Sequence, residues 1–284
     1  MASYRSVLKD AQRRMDEAGY GEQAAQLYLL ELTNQSNHNL YMEMDEAIDD
    51  ELREQYQAGI ERMIDGEPLG YVLGYEWFYG YRFHVNEAVL IPRPETEELV
   101  ANILAEYDEY FSAQYDVTAV DIGTGSGAIA VALKKEAPAL NMVATDISSE
   151  AIAVARENAL SNEAVVAMLI GDMLEPLCDR NLKVDILISN PPYIPQAETM
   201  EKSVVDFEPH LALFGGANGL KYYREIFSQC RKVLKERALL AFEMGWNQKE
   251  AMEELLKEYF PNDRYEIRKD MSGKDRMLFI YINL

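Results

Sequence analysis

Val117-Thr118-Ala119-Val120-Asp121-Ile122-Gly123-Thr124-Gly125-Ser126-Gly127-Ala128 decides the architecture. An apolar run ends at Ile122, alternating glycines follow at once, and a helical pattern starts at Ala128. Glycine lets the backbone turn sharply and approach a ligand more closely than any residue with a side chain. A strand feeding a glycine turn that opens a helix is how nucleotide-binding α/β folds cradle a ligand. Further apolar runs at 141–145, 165–170, 184–189, 238–243 and 277–282 predict strands, with helices between them such as 149–160 and 220–235. That succession predicts a mainly parallel sheet covered by helices on both faces.

Upstream, Pro92-Arg93-Pro94-Glu95-Thr96-Glu97 opens a helix, because proline suits the first turn and acids suit the positive dipole end. Before it lies an aromatic stretch punctuated by Gly70, Gly74 and Gly80. Alternation in Tyr81-Arg82-Phe83-His84-Val85 predicts a strand that turns at Asn86-Glu87 into Val89-Leu90-Ile91, making a β-hairpin. Farther upstream, Val7, Leu8, Ala11 and Met15, then Ala24, Ala25, Leu27, Tyr28 and Leu32, recur at helical spacing. A third helical stretch runs from Asp45 to a stop at Gly66-Glu67-Pro68. The expected organisation is a helical domain over 1–70, a hairpin linker over 71–93 and a catalytic domain over 94–284.

Composition narrows the function classes. The 284 residues, 48% hydrophobic and 27% charged, describe a globular protein with no run long enough for a membrane span. No apolar signal core follows the first methionine, so a cytoplasmic protein without a membrane partner is expected. Cys178 and Cys230 make no disulfide framework, and three scattered histidines make no metal site. Forty-nine acids against 27 basic residues leave a net charge of −22. Proteins that grip nucleic acid do so through cationic surfaces, so stable nucleic-acid binding is not expected.

Three features carry chemistry. Asp146 ends the second strand, where an acid can accept both hydroxyls of a ribose, a role open to NAD and to adenosylmethionine proteins alike. Gly171-Asp172-Met173 follows the third strand. Ile188-Ser189-Asn190-Pro191-Pro192-Tyr193 follows the fourth, at the carboxyl end where open α/β sheets bind ligands. Pro191 and Pro192 stiffen this turn and carry no N–H, so the loop offers carbonyl oxygens, and Asn190 adds one more. Two acceptors can hold a planar NH₂ by both hydrogens, and Tyr193 can pack on its flat face. An amide nitrogen is a poor nucleophile: losing its resonance completely costs about 18–20 kcal/mol. In-line placement against an activated methyl can contribute about 7–11 kcal/mol of the barrier lowering.

The glycine loop with Asp121 just before it resembles motif I of class I methyltransferases, whose ligand carries a positive sulfonium rather than a pyrophosphate. With Gly66-Glu67-Pro68-Leu69 and Tyr71, the Pro-Arg-Pro-Glu-Thr-Glu segment and the Asn-Pro-Pro-Tyr loop, nearly the whole chain resembles the PrmC/HemK family of protein glutamine methyltransferases. The resemblance implies a class I, Rossmann-like α/β fold with a mainly parallel seven-stranded sheet and a small helical front domain. It implies S-adenosyl-L-methionine as cofactor, with S-adenosyl-L-homocysteine as product. The cofactor would touch Asp121, Gly123, Thr124, Gly125, Ser126, Gly127, Asp146, Ile147, Asp172, Met173 and Asn190. Asn190, Pro191, Pro192 and Tyr193 would hold the substrate, with Asn190, Pro191 and Tyr193 as the catalytic set. Relatives often carry an aromatic residue where Met173 stands; a thioether can still pack on adenine. The implied substrate is the glutamine of the Gly-Gly-Gln motif in class I peptide chain release factors, docked by the helical domain and hairpin, and the implied enzyme is a monomer. Adenine-N6 methylation of nucleic acid and glutamine methylation of a ribosomal protein use the same loop chemistry and stay open here, as does a non-catalytic or NAD-binding protein.

Overall fold

The computed structural model describes residues 2–200 and 202–284. They form two compact units, Met1–Tyr75 with Met200–Phe207, and Glu76–Thr199 with Glu208–Leu284.

The first unit is helical: α1 (Tyr4–Glu17), α2 (Gln23–Thr33), α3 (Asn37–Met42), α4 (Asp50–Ile64) and α5 (Leu69–Leu73), with a short helix at Lys202–Phe207. Val7, Leu8, Ala11 and Met15 of α1 are buried at the spacing that predicts one apolar face. Ser3 and Ser6 close its N-terminus with a reciprocal capping box. The third helix of the sequence reading starts later than Asp45. Asp49 caps α4 through the N–H groups of Glu51 and Leu52, which fixes the first helical residue at Asp50. Ala47 instead bridges to Ser3 as extended chain. The sequence reading gave no helix at α3, whose polar residues bury only Leu40 and so show no period.

The hairpin also differs from expectation. Its strands are β1 (Tyr75–Phe78) and β2 (Tyr81–His84). The turn is Tyr79-Gly80, both at positive φ (53° and 78°), the conformation two-residue hairpins favour because it matches strand twist. Val89-Leu90-Ile91 is not a strand.

The second unit continues with α6 (Pro94–Tyr110), β3 (Thr118–Ile122), α7 (Ala128–Glu136), β4 (Asn141–Asp146), α8 (Ser149–Ser161), β5 (Val166–Ile170), α9 (Glu175–Asp179) and β6 (Val184–Ser189). Then follow α10 (Lys221–Gln229), β7 (Leu234–Glu243), α11 (Lys249–Tyr259), β8 (Arg264–Lys269) and β9 (Asp275–Ile282). The sheet has seven strands in the order β5-β4-β3-β6-β7-β9-β8; β9 runs antiparallel to β7 and to β8, and the other pairings are parallel. Residues alternate between its two faces. Ala119, Ile186, Ile188, Leu239, Ala241 and Phe279 meet α6 and α7 residues on one side. Val120, Ile122, Leu187, Leu240, Phe242 and Ile280 meet α10 and α11 residues on the other. The expected helix over 220–235 is shorter, because Leu234 already begins β7. β8 is the strand that composition hid. Among the described residues no helix is long and apolar enough to cross a membrane.

Candidate active site

Chain direction reverses at the middle of the sheet. From β3 the chain crosses to β4 on one side, and from β6 to β7 on the other, so the crevice opens at the carboxyl ends of β3 and β6. Ile122 pairs with Ser189 in register, so the glycine loop and the Asn-Pro-Pro-Tyr loop leave the sheet side by side. The Ser189 hydroxyl donates to the Ile122 carbonyl at 2.7 Å and ties their roots together. A cavity of about 330 Å³ opens there, within the range of small-molecule sites.

Gly123 and Gly125 form part of its wall. Both have positive φ, 71° and 54°, and a Cβ at either would meet no protein atom within 4 Å, so open space lies over the loop. The loop is held from behind. The N–H groups of Gly123 and Thr124 donate to the Thr145 carbonyl at 2.9 Å, and Gly125 N–H donates to Asp146 Oδ2 at 2.9 Å. Asp121, Thr124 and Ser126 are buried behind this wall, and Gly127 caps the N-terminus of α7. Asp121 Oδ2 accepts from the Thr124 hydroxyl at 2.5 Å, while its buried Oδ1 has no hydrogen-bond partner. Burial pushes the Asp121 carboxyl up to about 7, with the nearby Asp146 charge adding to the rise and the Thr124 hydrogen bond opposing it.

Asp146 and Ile147 line the cavity from the end of β4, and Asp172 and Met173 from the end of β5. Asp146 Oδ1 accepts from Ser148 N–H at 2.9 Å, so each carboxylate oxygen already holds one backbone donor. About four lone-pair sites on a carboxylate leave room for two hydroxyls more. Burial raises the Asp146 pKa against the pull of these N–H groups. An adenosyl group with a cationic end fits these residues. Open space lies over the glycines, apolar faces come from Ile147 and Met173, and an orphaned buried acceptor at Asp121 lacks the partner that a positive group would supply.

From the end of β6, Asn190 and Pro192 reach the same cavity. Asn190 Nδ2 donates to the Thr96 hydroxyl oxygen at 3.3 Å. Pro191 is buried beneath the turn. Tyr193 is turned into the core beside α10, its hydroxyl donating to Glu243 Oε1 at 3.2 Å, and it is not part of the cavity lining. The loop's carbonyls are divided as well. Tyr193 O accepts from Gln248 Nε2 at 2.9 Å, and a Cβ on Gly219 would come within 2.1 Å of it, so only glycine fits there.

Several wall residues lay outside the sequence reading. Val89 and Leu90, expected in a strand, line the cavity as irregular chain, and Leu211 and Tyr222 close another side. Thr96 and Glu243 stand behind Asn190. Their signal was a threonine in the first turn of α6, buried beside exposed Pro94 and Glu95, and an acid ending an apolar strand at the ligand-binding edge.

A cavity lined by the glycine loop, by Asp146 and Asp172 and by a carboxamide on a proline-stiffened turn narrows the choice to one class: the chain is a class I S-adenosylmethionine-dependent methyltransferase. Residues 102–207 match the Methyltransferase small domain family and residues 6–74 the PrmC N-terminal domain family. A release factor glutamine methyltransferase of Bacillus cereus is 40% identical over 275 residues, covering 96% of this chain and 97% of the relative. One from Staphylococcus aureus is 37% identical, covering 98% and 99%. Among solved structures, a human methyltransferase 10 domain containing protein shares the fold at a TM-score of 0.51 and 16% identity, covering 71% of this chain and 88% of that one. The chain belongs to the release factor glutamine methyltransferase family.

Proposed function

We propose that the protein transfers the methyl of S-adenosylmethionine to the side-chain amide nitrogen (N5) of the glutamine in the Gly-Gly-Gln motif of class I peptide chain release factors. The observation that carries the reading is that Asp146 and Asn190 line one cavity. The acid suited to a ribose and the carboxamide suited to a planar NH₂ thus face the same space. Kinship over nearly the full chain with proteins named for release factor glutamine methylation supports the choice of substrate.

Bound S-adenosylmethionine supplies an electrophilic methyl on a cationic sulfur. Gly123 and Gly125 would admit it, Asp146 would accept its ribose hydroxyls, Asp172 would accept the adenine amine, and Ile147 and Met173 would pack on the ring. Thr124, Ser126 and Gly127 shape the loop, and a cationic end nearby would favour the ionised form of Asp121 against the effect of burial. Asn190 Oδ1 and the Pro191 carbonyl each accept one N–H of the glutamine carboxamide, with Pro192 and Tyr193 holding the turn. These acceptors strengthen their hold as the nitrogen becomes positive, which is where a hydrogen bond lowers a barrier. One ordinary bond is worth about 0.5–1.5 kcal/mol net, so placement carries more of the rate than the bonds do. The alkylated amide is acidic enough to shed its extra proton to water, and no strong base is required.

The same proposal assigns residues 1–70 and the hairpin within 71–93 to docking the release factor, and 94–284 to catalysis. It has the enzyme act as a cytoplasmic monomer; the charge of −22 speaks against stable nucleic-acid binding. Incubation with methyl-labelled S-adenosylmethionine and purified release factor, followed by mass spectrometry, should find one methyl on the glutamine of Gly-Gly-Gln. Faster labelling of adenine in a duplex or RNA would contradict it.

A further inference from the structure

Glu243 is 2% exposed at the end of β7. Phe242 pairs with Ser189, so Glu243 stands level with Asn190 on the neighbouring strand. Its carboxylate accepts from two hydroxyls: Thr96 donates to Oε2 at 2.6 Å, and Tyr193 donates to Oε1 at 3.2 Å. Thr96 in turn accepts from Asn190 Nδ2 at 3.3 Å. One buried acid therefore grips both ends of the Asn-Pro-Pro-Tyr turn, directly at Tyr193 and through Thr96 at Asn190.

The direction of these bonds follows from an ionised Glu243: burial raises its pKa, while the Thr96 hydroxyl, the Arg276 charge and the Tyr193 hydroxyl favour the charged form. An ionised carboxylate only accepts, so each hydroxyl commits its single proton to Glu243. Thr96 Oγ1 then turns only lone pairs toward Asn190, and only the NH₂ of Asn190 can meet them. A carboxamide can sit in two orientations related by a half-turn, with oxygen and nitrogen exchanged. This chain of donors selects the one that leaves Oδ1 for the cavity that Asn190 lines. The opposite orientation would turn N–H groups toward an incoming NH₂ and remove an acceptor.

We propose that Glu243 and Thr96 are positioning residues for methyl transfer: a one-way hydrogen-bond relay that fixes the polarity of the Asn190 carboxamide so that it offers oxygen to the acceptor amide. The relay rests on the functional reading above, and it concerns residues that stand behind the cavity lining.

The test uses the full chain with Thr96→Val, Thr96→Ser and Glu243→Gln. Methyl transfer to release factor gives kcat and KM, calorimetry gives S-adenosylhomocysteine affinity, and crystals of the wild type and of Glu243→Gln at a resolution that separates oxygen from nitrogen give the Asn190 orientation. Thr96→Val should lower kcat about 100-fold while cofactor affinity stays within about threefold, and Thr96→Ser should recover most of the rate. The wild type should show Asn190 Nδ2 against Thr96. Glu243→Gln, whose NH₂ can donate to Thr96, should show the amide turned or mixed. A kcat for Thr96→Val within about threefold of wild type would overturn the relay, as would crystals in which Glu243→Gln leaves Asn190 unturned. If the wild type moves no methyl to release factor, the substrate reading fails, and the relay is then decided by the Asn190 orientations alone.

Discussion

The two units bury different chemistry. In the helical unit the buried side chains are aliphatic, methionine or tyrosine, with Tyr28 and Tyr56 stacked at 5.5 Å. Among the described residues, every buried serine, threonine, asparagine, glutamine, aspartate and glutamate lies in the sheet unit. A buried acid is costly unless fully paired, so a fold keeps one where it is either paired or used. Asp185, near the start of β6, is paired: it accepts from Lys235 Nζ at 2.6 Å, Thr118 N–H at 2.8 Å and Gln114 Nε2 at 2.9 Å. Asp121 and Glu243, at the ends of β3 and β7, bond to hydroxyls and to no cation. The difference separates an acid that holds the sheet together from acids set behind the cavity wall at the carboxyl ends of the strands.

The comparison predicts unequal responses to mutation. Asn190→Ala should lower kcat for release factor methylation about 100- to 1,000-fold and change S-adenosylhomocysteine affinity less than about tenfold, measured by turnover and calorimetry. Leu29→Ala, at a fully buried site of the helical unit, should instead cost about 2–5 kcal/mol in denaturant unfolding. It should leave the cofactor affinity of the folded protein unchanged. If Leu29→Ala weakened cofactor binding as much as it weakened the fold, the division of labour between the units would be wrong.

The third effect, read as a slope against pH, concerns Asp121. Its folded pKa of about 7 lies above the unfolded value of about 3.9, so the folded state binds this proton more tightly. Stability then falls as pH rises between those two values. Asp146 and Glu243, also raised by burial, contribute slopes of the same sign. In urea unfolding of the ligand-free protein from pH 5 to 7.5, Asp121→Asn should show a shallower loss of stability than wild type. An unchanged slope would remove Asp121 from the account.

Much of this was legible in the sequence because it is local. The glycine loop, the β6 run and the Asn-Pro-Pro-Tyr turn each carry their signal within a few residues. β8 escaped because Arg264-Tyr265-Glu266-Ile267-Arg268-Lys269 is a sheet edge, exposed or half-buried throughout, and shows no run of apolar residues. The start of β7 read as helix because Lys235-Glu236-Arg237 is charged and lies outside the buried stretch. The hairpin lies earlier than expected because Tyr79-Gly80 makes the turn, with Tyr79 at positive φ, while Asn86-Glu87 carries, in Asn86, the commoner turn residue. Thr96 and Glu243 escaped for a different reason: their hydrogen bond spans 147 positions, and only the packing of α6 against β7 brings such partners together.

The central claim is that the turn after β6 holds a carboxamide by its NH₂. A crystal structure with S-adenosylhomocysteine and a Gly-Gly-Gln peptide tests it directly. The account predicts the glutamine nitrogen within hydrogen-bond reach of both Asn190 Oδ1 and the Pro191 carbonyl, facing the sulfur. A glutamine side chain bound elsewhere, or with its oxygen toward Asn190, would contradict it.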